Sequence, residues 1–235
     1  PALPLNLAPY FYEWMKHPTM DDYWGSKRVA NSHSKIDVPA LNIGGWFDIF
    51  LAGTLRNYTG MSENGGSATA RSGQRLIIGP WSHQTIGSPI TGSIQFGLRA
   101  TGIGMDLLGA HLRWYDHWLK GIDNGVNHEP PVRIFVMGDN VWRSEQEWPL
   151  LRAEYTNYFL HSGGNANSLN GDGYLSIDPP ATEAEDKFQF DPSNPVPTDG
   201  GNLCCDLASL PGGPFDQTHI ESRGDVLCYT TEELD

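Results

Sequence analysis

Basic side chains are in short supply: 15 Lys and Arg stand against 28 Asp and Glu, a formal net charge of −13 over 235 residues. Nucleic-acid binding draws its affinity from clustered Lys and Arg, so no nucleic-acid partner is expected, and the acidic surplus reads as a solvated surface. Charged residues of both signs make up only 18% of the chain and hydrophobic ones 39%. That balance departs from the charged, apolar-poor profile of disorder and can supply a core. Cysteine is rare too, with only Cys204, Cys205 and Cys228. Three cysteines cannot build a disulfide framework, and the adjacent pair lacks the C-x-x-C spacing of a redox or zinc site, so small buried thiols are expected. No apolar run approaches the roughly 18 residues of a membrane span, and Pro1 to Leu7 holds no basic opening of a signal peptide. No membrane partner is expected, and the compartment stays open, the cytoplasm slightly ahead of secretion. What the chain has in plenty is turn formers, 27 Gly and 17 Pro. They suit an all-β chain or one in which strands and helices alternate.

The stretch Pro1 to Lys35 scatters aromatics around His17-Pro18 and reads as short helices and loops. From Asp37 the pattern sharpens. Val38 to Ile43 is a short apolar run stopped by Gly44-Gly45, which fits a buried strand; Leu51 to Met61 reads as a helix; Gln74 to Ile78 is a second strand, stopped by Gly79-Pro80. Strand, helix and strand within about 40 residues is a parallel α/β unit. After a Gly-rich loop, Met105, Leu108, Leu112, Tyr115 and Leu119 recur at helical spacing, with Gly121 placed to cap the helix. Beyond Pro130-Pro131 the period shortens. Val132 to Val136, Tyr155 to Leu160, Tyr174 to Ile177, Lys187 to Phe190 and Asp225 to Thr230 read as short strands of a β-sandwich or jelly roll, which places a domain boundary near Glu129.

Two loops follow the carboxyl ends of the paired strands, where open α/β sheets place their ligands. They are Gly44-Gly45-Trp46-Phe47-Asp48 and Gly79-Pro80-Trp81-Ser82-His83. An Asp on one strand end and a His on the next, 35 residues later, have the order of acid and base in an α/β-hydrolase triad. A serine hydroxyl needs an imidazole to take its proton, and the carboxylate fixes the tautomer and stabilises the imidazolium. Spacing alone leaves the plainer alternative open, an Asx turn and a hydrogen-bonded loop histidine. Trp46 and Trp81 flank the pair and are expected to pack the loops. Other candidates carry less. His111 and His117 are six residues apart, off the i, i+4 spacing of a shared metal. Asn170-Gly171-Asp172-Gly173 resembles a calcium loop without its closing glutamate, and the sequon Asn57-Tyr58-Thr59 falls inside an expected helix.

Longer blocks add a resemblance. Val38 to Asp48 (VPALNIGGWFD), Ile77 to His83 (IIGPWSH) and Leu112 to Gly121 (LRWYDHWLKG) closely resemble consecutive blocks of the cocaine esterase / X-Pro dipeptidyl-peptidase family of serine hydrolases. Val132 to Gly138, Trp142-Arg143, Trp148-Pro149-Leu150, Asp191-Pro192, Pro195 to Thr198 and Arg223 to Leu227 resemble the opening of that family's C-terminal jelly roll. The resemblance implies an α/β plus β chain: residues 1–129 as the C-terminal part of an α/β-hydrolase domain, with the end of a cap region at 1–35, and 130–235 as an incomplete jelly-roll β-sandwich. It implies Asp48 as the triad acid, His83 as the general base and Phe50 as a wall of an apolar acyl pocket. Ile49, Phe50 and Leu51 stand where amino-acid-selective relatives carry carboxylates. No G-x-S-x-G occurs. The nucleophile is thus expected before Pro1, the chain reads as an internal piece of a longer polypeptide, and alone it should lack triad chemistry. Small-molecule esters, amides or peptides are the implied substrates, with no cofactor and no metal, and homo-oligomerisation stays open. X-Pro dipeptide removal is the enzymatic alternative. A non-catalytic binding module built on the jelly-roll half is the alternative from another class.

Overall fold

The computed structural model describes residues 7–206 and 208–234, so the first six residues of the expected cap stretch lie outside the described part. The remainder of that stretch forms short helices, as expected: α1 (Pro9–Met15), α2 (Asp22–Gly25) and two 3₁₀ turns at Val29–Asn31 and His33–Lys35.

The centre of the molecule is a four-stranded sheet. Strands β1 (Leu41–Phe47) and β2 (Arg75–Ser82) run parallel and are linked by α3 (Leu51–Asn64) and the short α4 (Ala68–Ser72). The apolar runs ended by glycine do form these strands. Each run continues a few residues past its Gly-Gly or Gly-Pro, because the chain is paired rather than turned there. Side chains of β2 alternate between two cores. Leu76 and Ile78 join Tyr58 of α3 on one face, with Leu51 and Leu55 packed alongside. Ile77 and Trp81 join Met105 on the other, with Leu107 and Ala110 of α5 (Leu107–Lys120). The helix expected at 105–120 is capped at its carboxyl end by Gly121, whose φ of 68° is the left-handed conformation that glycine tolerates. Between β2 and α5 lies a minimal hairpin, β3 (Ile90–Thr91) with β4 (Ile94–Gln95).

The strand expected at Val132–Val136 is present as β5, but it does not open a sandwich. It pairs in parallel with β2, and β6 (Val141–Glu145) then pairs antiparallel with β5, giving the order β1-β2-β5-β6. Val132, Ile134 and Phe135 are all buried, the two-sided burial of a strand inside a covered sheet. The hydrogen-bonded sheet therefore continues across residue 129. Further on, the strand expected over 155–160 shrinks to β7 (Phe159–His161), paired with β8 (Tyr174–Ser176). Lys187 to Phe190 forms no strand and leaves Phe188 and Phe190 exposed. The 225–230 stretch contributes only isolated bridges, Asn167 with Leu227 and Tyr174 with Thr230. The C-terminal helix is the single turn α6 (Thr218–Glu221).

One expectation about cysteine is overturned. Cys204 and Cys205 are joined to each other in a disulfide, and Cys228 is the free thiol among the described residues. Spacing rules pass over bonded neighbours because the usual disulfide geometry needs a wider span of backbone.

Candidate functional site

The parallel register sets the site. Phe47 is paired with Ser82 across β1 and β2, so the residues that follow, Asp48 and His83, leave the sheet side by side. A register shift between Gly45 and Phe47 brings the two strand ends level. The crossing is tight at Gly45, where a Cβ would run into the carbonyl oxygen of Trp81, so only glycine fits.

His83 Nδ1 lies 3.2 Å from Asp48 Oδ1 and 3.3 Å from Asp48 Oδ2. The carboxylate is buried, its side chain 6% exposed, whereas the imidazole is 39% exposed. With the carboxylate against Nδ1, the tautomer that pairs a donor with this acceptor carries its proton on Nδ1 and leaves Nε2 without one. The aspartate is itself fixed. Its Oδ1 accepts from the Phe50 backbone N–H at 2.9 Å, and its carbonyl accepts from Leu51 N–H at 3.0 Å as α3 begins. The ring of Phe50 meets His83 edge to face with centroids 5.0 Å apart, and Phe50 is 56% exposed. The structure thus brings all three sequence-nominated residues together. Trp46 and Trp81 pack as expected: their indole N–H groups donate to the carbonyls of Phe135 and Ala100.

One contact had no local signal. The Asn202 side-chain amide donates to the Asp48 carbonyl at 3.1 Å across 154 residues of chain. Its loop also carries the Cys204–Cys205 disulfide and is closed by the Gly201–Gly213 bridge. The C-terminal half therefore reaches the strand end that bears the aspartate. His111 and His117 are spent on the carbonyls of Leu107 and Ile122.

A second histidine constellation was also not read from sequence. His161 Nδ1 meets Glu183 Oε1 at 2.7 Å, and Nε2 meets the Asp178 carbonyl at 2.9 Å and Ser176 Oγ at 3.2 Å. Serine, histidine and glutamate in contact look like a triad, but a carboxylate and a carbonyl on opposite nitrogens make both of them donors. The Glu183 hydrogen bond, aided by the Asp178 carbonyl, raises the ring's pKa above its usual value against the opposing effect of burial. With Nδ1 on a carboxylate and Nε2 on a carbonyl, neither nitrogen is left to take the Ser176 proton, so the cluster reads as a clamp between β7 and the 178–183 segment. A raised folded-state pKa places this stabilisation fully below about pH 6.5 and removes it as pH rises through the raised value. A histidine ring NMR titration is expected to show His161 titrating above the free-imidazole value, with hydrogen exchange around β7 and β8 speeding up over the same interval. A value at or below that of free imidazole would contradict the clamp.

Comparison with known proteins places the chain among relatives. Residues 4–85 match the X-Pro dipeptidyl-peptidase (S15 family) and residues 124–235 match the X-Pro dipeptidyl-peptidase C-terminal non-catalytic domain. Cocaine esterase of Rhodococcus sp. (strain MB1 Bresler) is 37% identical over 221 residues, 93% of this chain and 36% of that protein. Among solved structures, an aminopeptidase from a marine sediment archaeon, Thaumarchaeota archaeon, superposes with a TM-score of 0.68 at 24% identity, covering 93% of this chain and 34% of its own. An α-amino acid ester hydrolase also gives 0.68, at 22% identity, covering 98% of this chain and 37% of its own. These two show the α/β-hydrolase-type fold. The chain spans about a third of the length of each of these three relatives. With both halves matched in order, and a cocaine esterase similar along nearly all of it, the chain belongs to the cocaine esterase / X-Pro dipeptidyl-peptidase family of serine hydrolases.

Proposed function

We propose that these 235 residues supply the acid and the base of a serine hydrolase that cleaves esters or amides through an acyl-enzyme. The observation that carries this reading is the buried Asp48 carboxylate 3.2 Å from Nδ1 of a partly exposed His83, at adjoining ends of parallel strands. In the acylation step His83 Nε2 takes the proton of a serine hydroxyl as that oxygen attacks the carbonyl carbon. The imidazolium, stabilised by Asp48, then returns the proton to the leaving oxygen or nitrogen. Deacylation repeats the sequence with water as the nucleophile. No G-x-S-x-G lies in the chain, so the serine comes from outside it, and these residues alone form no acyl-enzyme by this route. Residues 1–129 then act as the later part of the catalytic domain, and 130–235 as part of a jelly-roll domain whose first strands extend the catalytic sheet. Asn202, through the Asp48 carbonyl, acts as a positioning residue.

Ester cleavage is the better-supported chemistry. Exposed Phe50 lies against His83 and offers an apolar wall to an acyl group, and Ile49, Phe50 and Leu51 bring no carboxylate that would hold a substrate ammonium. A polypeptide carrying this chain with its serine is expected to hydrolyse p-nitrophenyl butyrate with a kcat/KM about 100-fold or more above that for glycyl-prolyl-p-nitroanilide. The reverse order would move the assignment to X-Pro dipeptide removal. Turnover of neither by a folded polypeptide would favour a binding module.

A further inference from the structure

At the opposite end of the sheet from Asp48 and His83, a cavity of about 250 Å³ opens between the sheet and α5. Its wall holds three guanidinium groups, Arg75, Arg113 and Arg133, against one carboxylate, Glu129, with the indoles of Trp114 and Trp142 and an otherwise largely apolar lining. The register explains the convergence. Arg75 is the first residue of β2, and Arg133 is paired with Ile77, two residues on, so both side chains leave the same face of the sheet. Arg113 faces them from α5.

The charges in this cavity do not balance. Arg113 is already engaged, 3.0 Å from Asp106 and 3.7 Å from Glu129. Arg75 and Arg133 make no ion pair with any carboxylate among the described residues. Arg75 is only 8% exposed and donates to the backbone carbonyls of Gln74 and Val126, while its Nε has no partner. Arg133 donates to the Met105 carbonyl at 3.3 Å and lies over the Trp142 ring. Burial lowers the pKa of both guanidinium groups, partly offset by the field of Glu129. Keeping cations of this kind in a walled site is costly unless an anion compensates them. In a chain with a formal net charge of −13, a cavity with surplus positive charge is specific to its lining.

We infer that this cavity is a binding site for a small organic carboxylate, its oxygens on Arg133 and Arg75 and its apolar body against Trp114 and Trp142. The planar guanidinium fork matches a carboxylate, and the aromatic walls favour a ligand with an apolar body over a bare inorganic anion. This site does not depend on the catalytic reading. His83 follows the last residue of β2 whereas Arg75 is its first, so the two sites can be tested apart.

The experiment is isothermal titration of benzoate into the wild-type polypeptide and into Arg133→Met, Arg133→Lys and His83→Ala. Arg133 is chosen because it gives up one hydrogen bond of 3.3 Å, to the Met105 carbonyl, whereas Arg75 ties two carbonyls at 2.9 and 2.7 Å and its loss would disturb the strand. One benzoate per chain is expected to bind, about 10- to 100-fold more weakly to Arg133→Met, with Arg133→Lys between the two and His83→Ala unchanged. Inorganic phosphate is expected to bind at least about 10-fold more weakly than benzoate. Absence of benzoate binding, equal binding by wild type and Arg133→Met, loss in His83→Ala, or phosphate binding as tightly as benzoate would each overturn the assignment.

Discussion

His83→Ala, made in a polypeptide that carries these residues together with the serine, is expected to lower kcat by about 10⁴-fold or more. On the proposed reading the variant removes the group that takes the nucleophile's proton, and among the described residues no other histidine lies beside Asp48. His111 and His117 are committed to backbone carbonyls of their own helix region, and His161 is held between Glu183 and Asp178. Because the His83 side chain is 39% exposed, its loss should leave the fold nearly untouched, so the deficit will lie in kcat with the protein still folded. Asp48→Asn should cost a similar factor of about 10⁴ by a different route. The amide can still accept from Phe50 N–H, but its NH₂ group opposes Nδ1–H and favours the wrong tautomer. Steady-state kinetics with a circular dichroism control reads both. Retention of more than about a tenth of wild-type kcat in either variant would contradict the assigned roles.

The largest expected effect on stability lies two residues upstream. Trp81 is fully buried, packs with Ile77 and Met105, tilts against Trp142 at 5.7 Å and donates its indole N–H to the Ala100 carbonyl at 2.8 Å. Trp81→Ala would empty the centre of the α5-side core and strand a buried acceptor, a loss of about 3–5 kcal/mol. Trp81→Phe keeps most of the ring and forfeits the hydrogen bond, for about 1–3 kcal/mol. Urea unfolding followed by circular dichroism measures both, and a loss under about 1 kcal/mol for Trp81→Ala would show that the ring does not anchor this core.

The parts that were legible in sequence are those where local chemistry and tertiary placement agree. The runs at 38–43 and 74–78 are apolar, short and bounded by glycine or proline, and they become β1 and β2. The helical stripe from Met105 ends at a glycine that the left-handed cap requires. Asp48 and His83 could be nominated because each stands just past such a run, and the resemblance of the surrounding blocks gave them their expected roles. That the two runs are neighbours with Phe47 opposite Ser82 is a matter of register, which only the pairing decides. The fate of Val132–Val136 was not legible. A short β-branched run reads alike whether it enters a sandwich or closes on a parallel sheet, and burial on both faces decided for the sheet. Lys187–Phe190 has strand-like residues but no partner, and without pairing its backbone gains nothing from extension. Asn202 and the bonded pair Cys204–Cys205 owe their positions to contacts spanning long stretches of chain, and neither follows a spacing rule.

The most direct test of the central claim is active-site labelling of the serine-bearing polypeptide with a fluorophosphonate, followed by peptide mapping of wild type and His83→Ala. The expected result is one adduct, on a serine outside these 235 residues, that disappears in His83→Ala. An adduct on a serine within this chain, or labelling undiminished by the substitution, would contradict Asp48 and His83 as the acid and base of the site.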